Sequence, residues 1–312
     1  MSIACVFPGQ GSQAVGMLDS LAESPAVAAL LQSADAALGE SISSLIASGP
    51  AEQLALTVNT QPAMLVAGLG CYRAWLEAGG PAASMVAGHS LGEYTAMVAA
   101  DVLDAAEAVS LVRLRARAMQ EAVPVGTGAM AAILGLDDEK VAQACRDAVG
   151  DTAEVVAPAN FNAPAQVVIA GHVAAVERAC VAAKALGAKR ALPLPVSAPF
   201  HSSLLEPAGR RLAEALDGLT LRAPTVPLVN NVDVAVESDP ARIRDALIRQ
   251  AYSPVRWVEV VRKLRELGAT RVIEFGPGKV LAGLVGRIER EMPVHAVYDR
   301  ASLEKVMEEC SR

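Results

Sequence analysis

Residues 85–100 read MVAGHSLGEYTAMVAA, and this segment gives the clearest indication of the fold. An apolar run typical of a buried strand leads into a G-x-S-x-G motif, and a segment typical of a helix follows it. This is the context of a nucleophile elbow, a sharp strand-to-helix turn that raises a serine above the edge of a sheet. A Cβ at either flanking position would clash in so tight a turn, so Gly88 and Gly92 are needed there. Ser90 is therefore a candidate nucleophile; the alternative is a chance match, because glycine and serine are common.

Strand and helix patterns alternate on both sides of this stretch, which predicts an α/β fold with a mostly parallel sheet. In the main part of the chain we predict strands at residues 3–7, 227–229 and 271–275. Predicted helices there cover residues 25–38, 61–77, 104–121, 240–250, 258–267 and 302–312, and another helix begins after Lys279. A glycine-rich segment, Gly276 to Lys279, lacks the spacing of a phosphate-binding loop and is better explained by tight strand–helix packing.

The segment 126–197 has a different pattern, in the order β-α-β-β-α-β that is typical of a ferredoxin-like unit. We predict strands at 128–136, 154–159, 166–170 and 189–194, and helices at 138–149 and 173–186. The predicted organisation is an α/β-hydrolase-like core, residues 1–125 and 198–312, with a small ferredoxin-like subdomain at 126–197 inserted into it. Residues 160–164, NFNAP, are predicted as its central turn. Asparagine and proline suit a simple hairpin, but the turn could also face the main site across a cleft.

Composition limits the classes of function. The chain has 312 residues, of which 53% are hydrophobic and 20% charged, enough for a sizeable core and not typical of disorder. Aromatic residues make up 3% and the net charge is −7, which disfavours a nucleic-acid partner. The five cysteines are scattered and lack a CxxC pair, so we expect reduced cytoplasmic thiols and no metal site. No basic secretory start and no membrane-length apolar run are present, so we expect neither export nor a membrane partner.

Arg115 is the inward-facing arginine of the predicted helix 104–121. Its neighbours three and four residues away are all apolar: Leu111, Val112, Ala118 and Met119. Arg117 lies on a polar face, and Arg113 lies between the two. A buried guanidinium needs an anionic partner. That partner is either a carboxylate of the protein, in a structural ion pair, or the carboxylate of a substrate, which arginine grips with two parallel hydrogen bonds.

His201 stands in a proline-rich loop, PVSAPFHS, at residues 195–202. Two preceding prolines restrict the loop, which makes this histidine a candidate general base; the alternative is a surface histidine. The order serine then histidine matches that of α/β-hydrolase-like catalysts.

Several motifs at consistent separations together resemble a known family, the malonyl-CoA:acyl-carrier-protein transacylases of bacterial fatty-acid synthesis. The same fold serves as the acyltransferase domain of polyketide synthases. The resemblance covers nearly the whole chain. It rests on FPGQGSQ (7–13), GHSLGEY (88–94), Leu114-Arg115, Met119-Gln120, GTGAM (126–130), NFN (160–162), PFHS (199–202), Gln250 with YSPV (252–255), and FGPG (275–278).

The resemblance implies a role for each matching residue. Ser90 would carry the malonyl group as an ester, with His201 as its general acid and base. A main-chain carbonyl near Gln250 would orient the imidazole, in place of a third carboxylate. Arg115 would grip the malonyl carboxylate.

The main-chain N–H groups of Gln10 and Leu91 would form the oxyanion hole. Phe200, just before the histidine, resembles the residue of malonyl-specific members and suggests a pocket too crowded for an α-methyl branch.

The implied chemistry is a two-stage exchange that needs no metal or other cofactor, with malonyl-CoA as substrate and coenzyme A as product. The implied partner is an acyl carrier protein, and we expect a cytoplasmic monomer. Because carrier proteins are typically acidic and this chain is net negative, docking would need a local basic patch. Lys184, Lys189 and Arg190 are candidates.

Other functions share these residues. A serine hydrolase or thioesterase would use Ser90 and His201 but has no use for a buried Arg115. The malonyl transferase of malonate decarboxylase, or a free-standing acyltransferase that serves a polyketide synthase, would use every residue above. A non-catalytic scaffold that binds the carrier protein is disfavoured by the intact set of site residues.

Overall fold

The computed structural model describes residues 2–196 and 198–310. The predicted boundary at Ser197, and the last two residues of the predicted terminal helix, lie outside these ranges. The described chain forms a mixed α/β fold with a central parallel sheet and a separate small antiparallel sheet, which confirms the predicted fold class. The exact limits of the two predicted domains stay a prediction.

The central sheet has five strands in the order β7-β2-β1-β8-β9, and every neighbouring pair is parallel. The strands are β1 (Ile3–Phe7), β2 (Met85–Gly88), β7 (Leu228–Val229), β8 (Arg271–Phe275) and β9 (Val294–Val297). Parallel strands place their carboxyl ends at one edge, where ligands bind in open α/β sheets. The segments that follow β1, β2 and β7 bring Gln10, Ser90 and Asn231 to this edge.

The small sheet has four antiparallel strands in the order β4-β5-β3-β6. Its strands are β3 (Gly128–Leu134), β4 (Val156–Ala163), β5 (Gln166–His172) and β6 (Arg190–Pro193). The helices α7 (Asp138–Val149) and α8 (Val173–Ala185) pack together and against this sheet around their own buried cluster. This is the predicted β-α-β-β-α-β order.

The remaining helices cover the central sheet. They are α1 (Pro25–Leu38), α2 (Ile42–Ser48), α3 (Ala51–Leu54), α4 (Thr57–Glu77), α5 (Gly92–Ala99), α6 (Ala105–Glu121), α9 (Glu206–Asp217), α10 (Pro240–Gln250), α11 (Trp257–Glu266), α12 (Val280–Ile288) and α13 (Arg300–Cys310). Helix α4 is buried along most of its length and packs against α1, α5 and α6. On the opposite face, α11 and α12 close a second apolar cluster.

The predicted central turn of the small subdomain is wrong. Residues 160–163 continue strand β4, and the turn lies at Pro164 and Ala165, where Ala165 has a φ of 58°. The cause is a contact with the core: Phe161 N–H donates to the Val255 carbonyl at 2.9 Å, and Val255 N–H donates to the Ala159 carbonyl at 2.9 Å. This pairing outweighs the turn preference of asparagine and proline.

Helix α4 begins four residues before its predicted start at Gln61. Pro62 directly follows this predicted start, and proline favours the first turn of a helix. The structure places this proline inside the helix. The preceding turn is supported by the Thr60 hydroxyl, which donates to the Leu54 carbonyl at 2.6 Å and to the Leu56 carbonyl at 3.1 Å. Helices α2, α3 and α9 and strand β9 were not predicted from the sequence.

Candidate active site

Ser90 sits on a turn that two glycines make possible. Strand β2 ends at Gly88 and helix α5 begins at Gly92. A Cβ on Gly88 would lie 1.9 Å from the carbonyl carbon of Gly92, and one on Gly92 would lie 2.0 Å from the Phe7 carbonyl oxygen. Ser90 itself has a φ of 52°, a strained value for a residue with a side chain. Such strain is typical of functional positions, and the geometry agrees with a nucleophile elbow.

His201 faces the serine. Its Nε2 lies 2.7 Å from Ser90 Oγ. Its Nδ1 lies 2.9 Å from the Gln250 carbonyl oxygen and 3.2 Å from that of Ser253. Because both carbonyls only accept, Nδ1 must carry the proton, and Nε2 is left with a lone pair toward the serine. The structure thus pairs the predicted serine and histidine, with the imidazole held by main-chain oxygens rather than a carboxylate.

The imidazole is held neutral. His201 is 4% exposed, and burial lowers its pKa to about 3, helped by the nearby positive charge of Arg115. A neutral imidazole is the form that accepts a proton. The residue also has a φ of 61°, so nucleophile and base both lie in strained backbone.

Arg115 is buried on α6, as predicted. It is 1% exposed, whereas Arg117 is exposed. Arg113 is also buried, but it pairs with Glu40. Arg115 Nη1 donates to Gln61 Oε1 at 2.9 Å.

The other amino group of Arg115 faces the reaction centre. Its Nη2 donates to Gln250 Oε1 at 2.9 Å and to Ser90 Oγ at 3.2 Å. The guanidinium carbon also lies 5.3 Å from the centroid of the Tyr94 ring. Among the described residues no carboxylate forms an ion pair with Arg115. Arg115 therefore does not form the direct ion pair with a protein carboxylate that the sequence left open as one alternative.

Gln250 connects the parts of the site through its side chain as well as its carbonyl. Its Oε1 accepts from Arg115, while its Nε2 donates to the Ser90 carbonyl at 2.9 Å and to Glu93 Oε2 at 2.8 Å. Its main-chain carbonyl faces His201. Only the role of the main-chain carbonyl was predicted from the sequence.

Asn231 was missed as a site residue. Its Oδ1 accepts the Ser90 N–H at 2.7 Å, and its Nδ2 donates to the Gly88 carbonyl at 2.7 Å. It therefore fixes the backbone of the elbow from the segment that follows strand β7. Gln61 and Glu93 were missed as well. The sequence signal that could have identified these residues is a polar side chain at a buried position in an otherwise apolar segment.

Gln10 and Leu91 both line the cavity at Ser90. Within residues 2–196 and 198–310, neither main-chain N–H has a hydrogen-bond acceptor. Donors left free beside a nucleophile are suited to an oxyanion that forms during reaction. This arrangement agrees with the predicted pair.

The cavity has a volume of about 140 Å³ and lies between the core and the small subdomain. Its lining residues are Gly9, Gln10, Gln61, His89, Ser90, Leu91, Arg115, Met130, Asn160, Leu194, Val196, Phe200 and His201. The predicted central-turn segment does face the main site, although as a strand. Asn160 lines the cavity, and Asn162 Oδ1 lies 2.8 Å from His89 Nε2.

Lys184, Lys189 and Arg190 are exposed on the small subdomain and do not line the cavity. Strand β6, which begins at Arg190, leads into Leu194 at the cavity wall. Within the described part of the chain, no helix combines the length and apolar character needed to cross a membrane.

A family model described as acyl transferase domain matches residues 4–301. The malonyl CoA-acyl carrier protein transacylase of Escherichia coli (strain K12) is 53% identical over 306 residues, which cover 98% of this chain and 98% of that protein.

Two solved structures extend the similarity to three dimensions. An acyl-carrier-protein S-malonyltransferase from Burkholderia pseudomallei is 59% identical, with a TM-score of 0.96, and covers 99% of this chain and 100% of that one. A malonyl-transacylase in complex with a type II PKS acyl-carrier protein is 50% identical, with a TM-score of 0.96, and covers 99% and 100% of the two chains.

Proposed function

The chain belongs to the acyl transferase domain family, and we propose that it transfers a malonyl group from malonyl-CoA to the phosphopantetheine thiol of an acyl carrier protein. One observation carries the substrate assignment: the buried Arg115 guanidinium lies 3.2 Å from the Ser90 hydroxyl and has no carboxylate partner in the described chain. A carboxylate on the acyl chain would supply that partner. The names of the relatives support the same substrate and acceptor.

The first stage loads the serine. His201 Nε2 takes the proton of Ser90 Oγ as this oxygen attacks the thioester carbonyl carbon. The electron pair of the C=O bond moves to oxygen, where the N–H groups of Gln10 and Leu91 receive the charge. The tetrahedral intermediate then collapses, the C–S bond breaks, and His201 returns the proton to the coenzyme A sulfur. The product is a malonyl ester on Ser90.

The second stage is the reverse with another thiol. His201 takes the proton of the phosphopantetheine thiol, the sulfur attacks the ester carbonyl, and the C–O bond to Ser90 breaks. The proton returns from His201 to Ser90 Oγ. Because one thioester is exchanged for another, the transfer is readily reversible. The steps use side chains and main-chain groups of the protein alone, so we propose that no metal or cofactor takes part.

The acyl pocket limits the size of the group. Phe200 is 6% exposed and lines the cavity, as does Met130. In a small cavity, one added methyl group forces neighbouring side chains to move. We therefore propose that malonyl is preferred over methylmalonyl.

The proposed partner is an acyl carrier protein, and the proposed state is a cytoplasmic monomer. We place the docking surface at Lys184, Lys189 and Arg190, whose exposed charges suit an acidic partner. The same acyl transfer could serve fatty-acid synthesis, a polyketide synthase or malonate decarboxylase.

The test is a steady-state assay with malonyl-CoA and holo carrier protein, with malonyl carrier protein and free malonate measured separately. We expect parallel double-reciprocal lines, the pattern of a ping-pong mechanism, and little free malonate. Arg115→Ala should lower kcat/KM for malonyl-CoA by roughly 100-fold while acetyl-CoA changes little. Arg117→Ala, two residues away and exposed, is the matched control. Malonate that accumulates without the carrier protein would instead indicate a hydrolase.

A further inference from the structure

Glu93 is a buried acid that the mechanism above does not use. It lies in the first turn of α5, three residues after the nucleophile, and is 2% exposed. It does not line the cavity. Burial raises its pKa to about 7, against the hydrogen bonds that favour its charged form. A carboxylate buried in this way lowers the stability of the fold unless it is paired or hydrogen-bonded to its surroundings.

The two hydrogen bonds that described residues donate to Glu93 end on the same oxygen. Oε2 accepts from Gln250 Nε2 at 2.8 Å and from the Asn231 N–H at 3.1 Å. In the described chain, no lysine or arginine forms a direct ion pair with this carboxylate. The cation that interacts with it is Arg115, which Glu93 reaches through the Gln250 amide.

The three side chains form a chain of carboxylate, amide and guanidinium. Arg115 can only donate, so the Gln250 oxygen must face it. Glu93 Oε2 is an acceptor of two N–H groups, so the Gln250 nitrogen must face Glu93. A flipped amide would set donor against donor and acceptor against acceptor. Glu93 and the Ser90 carbonyl therefore fix the one orientation in which Gln250 holds Arg115.

The amide spacer also keeps the guanidinium available. A carboxylate in direct contact would occupy the N–H groups that a substrate carboxylate needs. Here three acceptors, on Gln61, Gln250 and Ser90, take three of the five N–H groups, and the Arg115 Nε has no acceptor among the described residues. The opposite charge of Glu93 still favours the charged form of the arginine.

We propose that Glu93 is a positioning residue, which acts through Gln250 to hold the Arg115 guanidinium in place for a carboxylate-bearing acyl group. The inference rests on the proposed function and deepens it. It predicts that Glu93 sets the preference for malonyl over acetyl, because an acetyl group has no carboxylate for Arg115 to bind. A residue needed only for folding would affect both donors equally.

The test compares kcat/KM for malonyl-CoA and acetyl-CoA in three variants. Glu93→Asp withdraws the acceptor from Gln250, and Glu93→Ala removes it. In both, the ratio of malonyl to acetyl kcat/KM should fall on the order of 10- to 100-fold, the effect of a small misplacement of a binding group. Glu93→Gln should keep the ratio within about threefold of the wild type. Its single amide oxygen can accept both N–H groups that now meet on Oε2.

A double-mutant cycle with Arg115→Ala shows whether Glu93 acts through Arg115. If Glu93 acts through Arg115, then Glu93→Asp should leave the ratio unchanged once Arg115→Ala is present. Circular dichroism checks the fold of each variant, and Glu93→Asp carries the test if Glu93→Ala does not fold. An unchanged ratio in folded Glu93→Asp, with a reduced one in Arg115→Ala, overturns this inference alone. An unchanged ratio in Arg115→Ala overturns the proposed function.

Discussion

His201 Nε2 lies 2.7 Å from Ser90 Oγ, while the opposite nitrogen of the same ring faces two main-chain carbonyl oxygens. A carbonyl fixes the tautomer as a carboxylate does, but it carries no full charge to stabilise an imidazolium. Burial and the positive charge of Arg115 then lower the pKa of His201 to about 3. The base is therefore neutral and ready to act over a wide pH range.

This relationship predicts the pH profile of serine loading. The active form of His201 is neutral, so activity is lost only as pH falls through the lowered pKa. We expect kcat/KM for malonyl-CoA to stay constant from pH 8 down to about 5. Rapid-quench measurement of the malonyl enzyme at each pH, with circular dichroism as a check of folding, gives the profile.

Two further results test the predicted pH dependence. A loss of half the activity near pH 6.5, the ordinary pKa of histidine, would contradict the lowered pKa of His201. With acetyl-CoA as donor, Arg115→Ala should move the acid limb to higher pH, because the removed positive charge no longer lowers the pKa of His201.

The exposed basic residues of the small subdomain predict a selective loss of carrier binding. Lys189→Glu with Arg190→Glu should raise KM for the carrier protein about tenfold or more, an effect that weakens at high salt, and leave KM for malonyl-CoA unchanged. Lys140→Glu with Arg146→Glu is the matched control, because these residues are exposed on α7 of the same subdomain. Equal changes in both Michaelis constants would exclude this docking surface.

The sequence was sufficient where the chemistry is local. Ser90 follows from a short motif with a strand before it and a helix after it. Arg115 follows from helical spacing, since its neighbours are apolar and those of Arg117 are not. Both arguments need only residues that are a few positions apart in the sequence, and the structure agrees with both.

The rest of the site depends on contacts between distant segments. Asn231 reaches Ser90 across 141 positions, and Gln250 reaches Glu93 across 157. No local pattern specifies such a pairing. The error at residues 160–163 has the same origin, because Val255 from the core recruits them into strand β4. Turn preferences were outweighed by a partner that the local sequence does not contain.

The tight elbow predicts that Gly88 tolerates no side chain. Gly88→Ala would place a Cβ within 1.9 Å of the backbone of Gly92, and backbone cannot rotate away. We expect a loss of more than about 4 kcal/mol in the free energy of unfolding, measured by urea denaturation. On α12, where no atom lies within 4 Å of the Cβ position, Gly283→Ala should instead gain about 0.5–1 kcal/mol. A mild effect of Gly88→Ala would refute this account of the turn.

Glu274 predicts a pH-dependent stability. It is fully buried at the end of β8, and its two oxygens accept the N–H groups of Leu281 and Ala282 at 3.1 and 2.7 Å. Burial raises its pKa to about 7, from an ordinary value of 4.5. Between these values the native state binds more protons than the unfolded state, so stability falls as pH rises.

Comparison with Glu274→Gln isolates this contribution. The stability of the wild type relative to the variant should fall between pH 4.5 and 7, the two pKa values of the carboxyl group. Urea denaturation at both ends of this range measures the difference. Glu139→Gln, at an exposed position on α7, is the control. A relative stability that is constant or rises with pH would contradict the argument.

Ser90 is the residue that we propose carries the malonyl group, and intact mass spectrometry after brief mixing with malonyl-CoA detects the ester. This role of Ser90 predicts one malonyl adduct on the wild type and none on Ser90→Ala, with little adduct from acetyl-CoA or methylmalonyl-CoA. An adduct that persists in Ser90→Ala, or an unmodified wild type that releases free malonate, would contradict it.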